Sequence, residues 1–112
     1  MRSLYFDCFA GISGDMIVGA LLDLGASLER IERELSKITL PKYEITAEPT
    51  TRRGFAATKF TVRTGKEEAA RDWNEIRELI ENSGLNEDLQ VEIVSVFRRL
   101  AQAEAKVHGS TL

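Results

Sequence analysis

Ser3-Leu4-Tyr5-Phe6-Asp7-Cys8-Phe9, then Ala10-Gly11-Ile12-Ser13-Gly14-Asp15, then Met16-Ile17-Val18-Gly19-Ala20-Leu21-Leu22: the reading of this stretch decides how the chain is built. Residues 3–9 are aromatic and apolar and bounded by Ala-Gly, the pattern of a buried strand. Gly11 to Asp15 is a glycine-punctuated turn. From Asp15 to about Leu24 the residues are small or aliphatic on most sides, which predicts a helix sunk in the core. Gly25 is placed to close it in the left-handed conformation that helix ends favour.

Working outward, Ser27 can cap a second helix with Glu29 in its first turn. Leu28, Ile31, Leu35 and Ile38 share one face of it, and Pro41 prevents its continuation. Tyr43 to Glu48 alternates as a strand with one buried face, closed by Pro49. Thr50 to Gly54 is a polar connection carrying Arg52 and Arg53, and Phe55 to Thr64 is a further strand. These two pair as an antiparallel hairpin or stand as strands joined by a wider loop. Gly65 to Arg71 reads as a solvated connection. Asp72 followed by Glu75 forms a capping-box variant ahead of Trp73, Ile76, Leu79 and Ile80, with Asn82-Ser83-Gly84 as the stop. Asn86 caps the last helix, whose face runs through Leu89, Ile93, Phe97, Leu100, Glu104 and Val107, interrupted only by Glu104, to a stop at Gly109. The expectation is an α+β domain over residues 1–112, in the order strand-helix-helix-strand-strand-helix-helix. A small three-stranded sheet would be covered by about four helices.

Composition narrows the function classes. The chain has 112 residues, 43% hydrophobic and 29% charged, which suits one ordinary globular domain. Its longest apolar run, Met16 to Leu22, is far short of the roughly 20 residues that span a bilayer. A strand pattern already begun at Ser3 leaves no room for a leader, so no membrane role is expected. A net charge of −3 without a Lys/Arg run argues against nucleic acid as a partner. The single Cys8 cannot form an internal disulfide, which favours a reducing cytoplasm.

The residues able to carry chemistry gather at the opening turn. Asp7 at the end of the expected first strand and Asp15 at the start of the helix bring two carboxylates toward one edge of the sheet. Such oxygens suit Mg²⁺ or Mn²⁺, and nickel also accepts carboxylate, thiolate or imidazole ligands. Ser13 and Gly14 sit where a strand-to-helix turn offers backbone N–H groups to an anion. The structural reading stands beside this one: Asp15 complements the helix dipole, Ser13 caps, and the glycines allow close packing. Cys8, at strand spacing beside an aromatic, reads as a small buried hydrophobe before it reads as a nucleophile or ligand. Arg52 and Arg53 could bind a phosphate or simply solvate a hairpin tip. His108 suits the helix C-terminus and would need further ligands to hold a metal.

The run Tyr5-Phe6-Asp7-Cys8-Phe9-Ala10-Gly11-Ile12-Ser13-Gly14-Asp15-Met16, with Gly19-Ala20-Leu21-Leu22-Asp23-Leu24-Gly25, closely resembles the N-terminus of the LarC family of nickel insertion proteins. Arg52-Arg53-Gly54 is similar to that family's basic hairpin, and Phe97 to Gly109 is similar to its helix ending in Val-His-Gly. The resemblance spans almost the whole chain. It implies a CTP-dependent, lyase-type insertion of nickel into pyridinium-3,5-bisthiocarboxylic acid mononucleotide, completing the nickel-pincer cofactor of lactate racemase. It makes Asp7 and Asp15 candidate metal ligands, Ser13, Gly14, Arg52 and Arg53 candidate anion or phosphate contacts, and Cys8 and His108 minor candidate ligands. No catalytic residue is assigned. Nickel, and CTP with Mn or Mg, are the implied cofactors, the CTP site mainly outside this chain. The mononucleotide precursor and the C-terminal part of the same protein are the implied partners, with a homo-oligomer left open. Family members are several times longer and carry a His-Phe-His-Glu-Val-Gly stretch soon after Val-His-Gly, so the chain is expected to be an N-terminal fragment, inactive alone.

The alternative is a non-catalytic α+β interaction or oligomerisation module whose glycine turn is purely structural. A small-nucleotide hydrolase using Mg²⁺ at the same carboxylates would need a phosphate loop with a lysine, and the turn has none.

Overall fold

Arg53 and Gly54 both have positive φ, 49° and 81°, the backbone of a type I′ turn, whose twist matches that of the strands it joins. This two-residue loop closes a hairpin of β1 (Tyr43–Arg52) and β2 (Phe55–Thr64), ten residues each. It also sets the register, Arg52 opposite Phe55, Ala47 opposite Phe60 and Ile45 opposite Val62. Strand β1 runs straight through Pro49, so that proline is not the terminator the alternation suggested. In this register Pro49 occupies a pair that exchanges no hydrogen bonds, and its missing N–H removes nothing from the ladder.

The computed structural model describes residues 3–65 and 70–109. Residues 66–69, the middle of the connection expected over 65–71, lie outside the described residues. The chain divides into two compact units, Met1–Leu28 with Tyr43–Arg63, and Glu29–Lys42 with Thr64–Leu112.

In the first unit, helix α1 (Gly14–Asp23) lies on the hairpin. Ile45 and Phe60 are the buried side chains of the sheet. Gly19 is the buried residue of the helix, and a Cβ there would stand 2.7 Å from the Thr58 carbonyl oxygen. Only a residue without a side chain lets the helix come so near β2. The Thr58 hydroxyl donates to Asp23 Oδ1 at 3.0 Å, a second tie between the same elements. Beyond Asp23 the chain closes as a Schellman motif: Gly25 N–H donates to Leu22 O, Ala26 N–H donates to Leu21 O, and Gly25 takes φ 108°. The helix is less buried than its composition predicted, because one face rests on the sheet while Met16 is 57% exposed.

The expectation of three strands is overturned. The described sheet has two strands, β1 and β2, and residues 3–9 form no strand. Tyr5 and Phe9 are 86% and 93% exposed. An apolar run reports a tendency toward burial, whereas a strand requires a hydrogen-bonded neighbour, and neither hairpin strand takes this segment as one.

The second unit is helical: α2 (Leu28–Leu35, all but its first residue), α3 (Trp73–Glu81) and α4 (Glu87–His108). Helix α2 stops before Ile38 and well before Pro41. Its end tightens through Lys37 N–H to Glu34 O and Ile38 N–H to Leu35 O, both 3.1 Å. Helices α3 and α4 pack as a pair around Ile80, Leu85 and Val94, all buried. Their caps are those expected. The Asp72 carboxylate accepts from Glu75 N–H and the Asn86 amide oxygen from Leu89 N–H, each at 2.8 Å, and Gly109 ends α4 in the left-handed conformation. Gln90 Nε2 donates to Ser83 O and Leu85 O, holding the α3–α4 turn, and Gly84 N–H reaches Lys37 O at 2.9 Å. Arg98 stacks over the Trp73 ring, 5.6 Å from its centroid. Among the described residues no helix is long and apolar enough to cross a membrane.

Gly19→Ala is expected to cost about 1–3 kcal/mol, since helix and strand must part to admit the methyl. Gly14→Ala, with open space at its Cβ, is the control. Urea midpoints that shift equally in the two variants would contradict the contact.

Candidate functional site

The N-terminus of α1 is built from Ser13, Gly14, Asp15 and Met16. Ser13 occupies the N-cap position with extended backbone, but its hydroxyl does not cap the helix. It donates to Asp15 Oδ1, which also accepts the Met16 N–H at 2.9 Å. Carboxylate, hydroxyl and amide thus form one local cluster at the positive end of the helix dipole. The Ser13 hydrogen bond is the main reason that the Asp15 carboxyl titrates below the usual carboxylate range. The Met16 N–H and the field of Lys59, on β2, act in the same direction. Asp15 is therefore an exposed, firmly ionised carboxylate. Its carboxylate sits beside Ser13 at the start of the helix, where a bound anion would meet like charge.

Asp7 and Cys8 lie on the irregular segment that precedes this turn, and both are exposed. The Cys8 carbonyl accepts the Gly11 N–H at 3.0 Å, closing a tight turn with Gly11 at φ 84°. Exposure of Cys8 removes the reading of it as a buried hydrophobe. Among the described residues no three His, Cys, Asp or Glu side chains gather closely enough to hold a metal ion. Asp7 and Asp15 therefore do not form a complete cage with Cys8.

Arg52 ends β1 and Arg53 is the first central residue of the hairpin turn, both exposed. Arg53 is the non-glycine residue with positive φ among those described, a position where Asn or Gly is the comfortable occupant. His108, the last residue of α4, lies in the second unit with Glu104 along a groove of about 450 Å³ bounded by Trp73, Ile76 and Phe97. Lys59 and Thr58 went unmarked in the sequence. Each acts on α1 from a distant strand position, and no local pattern announces that.

The family model described as nickel insertion protein matches residues 4–112. The chain belongs to the nickel insertion protein family. A relative from Geotalea daltonii, named for the same family, is 45% identical over 111 residues, covering 97% of this chain and 28% of its own length. The corresponding relative from Geobacter sulfurreducens is 44% identical over 114 residues, and one from Dictyoglomus thermophilum 36% over 112. Each alignment covers 100% of this chain and 29% of the relative. This family member thus spans less than a third of the length of the curated relatives it matches. No solved structure matches it.

In the family member, Ser13→Ala is expected to raise the Asp15 titration midpoint toward the ordinary aspartate value in a carboxyl NMR titration. Because the folded value is depressed, Asp15 favours the folded state above the ordinary value. That contribution fades as pH falls through the depressed one. An unmoved midpoint would remove Ser13 as the cause.

Proposed function

We propose that this chain is part of a nickel insertion enzyme and contributes a carboxylate-bearing turn to it. The whole enzyme, in this reading, places nickel into pyridinium-3,5-bisthiocarboxylic acid mononucleotide in a CTP-dependent, lyase-type reaction. The metal enters between two thiocarboxylate sulfurs and a pyridinium carbon, completing the nickel-pincer cofactor of lactate racemase in the cytoplasm. The observation that carries the reading is the family match over residues 4–112, which runs through the turn from Asp7 to Asp15.

The geometry supports a division of roles. Asp15 is held ionised, and the Ser13 hydroxyl and the Met16 N–H both engage Oδ1, so Oδ2 is the oxygen we assign to a cation. Asp7, exposed on the preceding segment, would add a second oxygen. These hard donors fit the Mn or Mg that accompanies CTP as well as they fit nickel. Two carboxylates do not complete a metal cage, so further ligands come from outside the described residues of this chain. Arg52 and Arg53, at the exposed hairpin tip, would take the mononucleotide phosphate through charge-assisted hydrogen bonds. The unfavourable backbone of Arg53 is consistent with a side chain kept for what it binds.

In the full-length protein, Asp15→Asn and Asp7→Asn are each expected to lower nickel insertion at least about tenfold and to weaken Ni²⁺ or Mn²⁺ in calorimetric titration. If both variants stay within twofold of the parent, the turn is structural. A full-length parent that inserts no nickel with CTP would leave the non-catalytic module standing.

Arg53→Asn should separate stability from function. It is expected to stabilise the hairpin by about 1 kcal/mol, by relieving the left-handed backbone, while weakening the mononucleotide about tenfold through loss of a charged hydrogen bond. A variant that gains stability and binds the mononucleotide unchanged would remove Arg53 from the site.

A further inference from the structure

One face of α4 has the spacing of a coiled-coil seam. Leu89, Ile93, Val96, Leu100, Ala103 and Val107 follow one another by alternating steps of four and three, which keeps them in line along a helix that packs beside another. The first two members lie along a groove of about 370 Å³ that they share with Ile31, Leu35 and Ile38. The remaining four do not line that groove. Val96, Leu100 and Val107 are 67%, 55% and 81% exposed, and Ala103 is exposed with them. Through Leu100 the stripe runs into the groove walled by Trp73, Ile76 and Phe97. Exposed apolar surface that is continuous and in helical register marks an interface.

We propose that this surface docks an amphipathic helix from the remaining part of the same polypeptide. The inference rests on the reading of the chain as part of a longer insertion protein. Length supports it: the chain covers 28–29% of the relatives' own length, so most of their residues lie outside the region that leaves this seam bare. Charge describes the occupant. Along the bare part of the seam Arg99 and Lys106 flank it on one side, after Glu92 on that same side, and Glu104 flanks it on the other, so the docked helix carries acidic residues against Arg99 and Lys106 and a basic residue against Glu104.

The test is thiol labelling of the full-length protein in a Cys8→Ser background. Single substitutions Leu100→Cys, Ala103→Cys and Val107→Cys are compared with Gln102→Cys, which lies off the seam. Ala103→Cys changes little volume and keeps the measurement open if the larger replacements disturb folding. Seam positions are expected to react with a maleimide at least tenfold more slowly than position 102, independently of protein concentration. Equal rates at seam and control would overturn the proposal. So would protection lost on dilution, or a disulfide-linked dimer of the Leu100→Cys protein, since in a parallel pair of copies that position faces its own equivalent. The labelling requires neither nickel nor CTP. A protein with a protected seam and no insertion activity would therefore sink the enzyme reading alone, and an active protein with an open seam would sink the docking alone.

Discussion

The contact between Gly19 and the Thr58 carbonyl governs the first unit. A helix normally stands off a sheet by the thickness of the side chains between them, and here that thickness is removed at one point. With the backbones this close, the Asp23–Thr58 hydrogen bond becomes reachable, and the helix is fixed at its middle and its C-terminal end. Its N-terminus is then carried to a defined place relative to Lys59 on β2, so the field felt by Asp15 follows from a glycine one helical turn away. The candidate site is thus set by a packing constraint among residues that take no part in its chemistry.

That coupling explains which features could be read from the chain alone. Caps were legible at Asp72, Asn86, Gly25 and Gly109, because each is decided by hydrogen bonds within a few residues. The helical face of α3 was legible from periodicity, and so was the presence of two adjacent strands, whereas the face read on α4 omitted Val94, its buried residue, and included the exposed Leu100 and Val107. Residues 3–9 misled because aromatic content resembles a strand, whereas strand formation depends on a partner elsewhere in the chain. Pro49 misled for the opposite reason: it looks like a terminator until the register shows which way its nitrogen faces. The end of α2 was placed too late because Ile38 continues the apolar spacing after the backbone has already tightened.

The site divides along the same line. Asp15 and Ser13 were visible as neighbours, and their interaction is local. Their precise relation was not: of the two readings left open for Ser13, helix cap or anion contact, the cap is not what forms, because the hydroxyl is spent on the Asp15 carboxylate. Lys59 lay beyond any local reading. Family resemblance supplied what periodicity could not, because the motif from Tyr5 to Met16 is specific to a degree that glycine spacing is not, and the family match over 4–112 bears it out.

The two-stranded hairpin has one further consequence. Among the described residues the ribbon has two strands and leaves each with an open side, and an open strand ten residues long is a template on which another chain can pair. Pro49 withdraws a donor from the open side of β1 at mid-strand, while Lys59 and Arg63 place positive charge along β2. The same proline that the ladder tolerates acts as a gatekeeper against edge-to-edge association, so its replacement by a β-branched residue would make the ribbon more prone to aggregate while leaving its internal pairing intact.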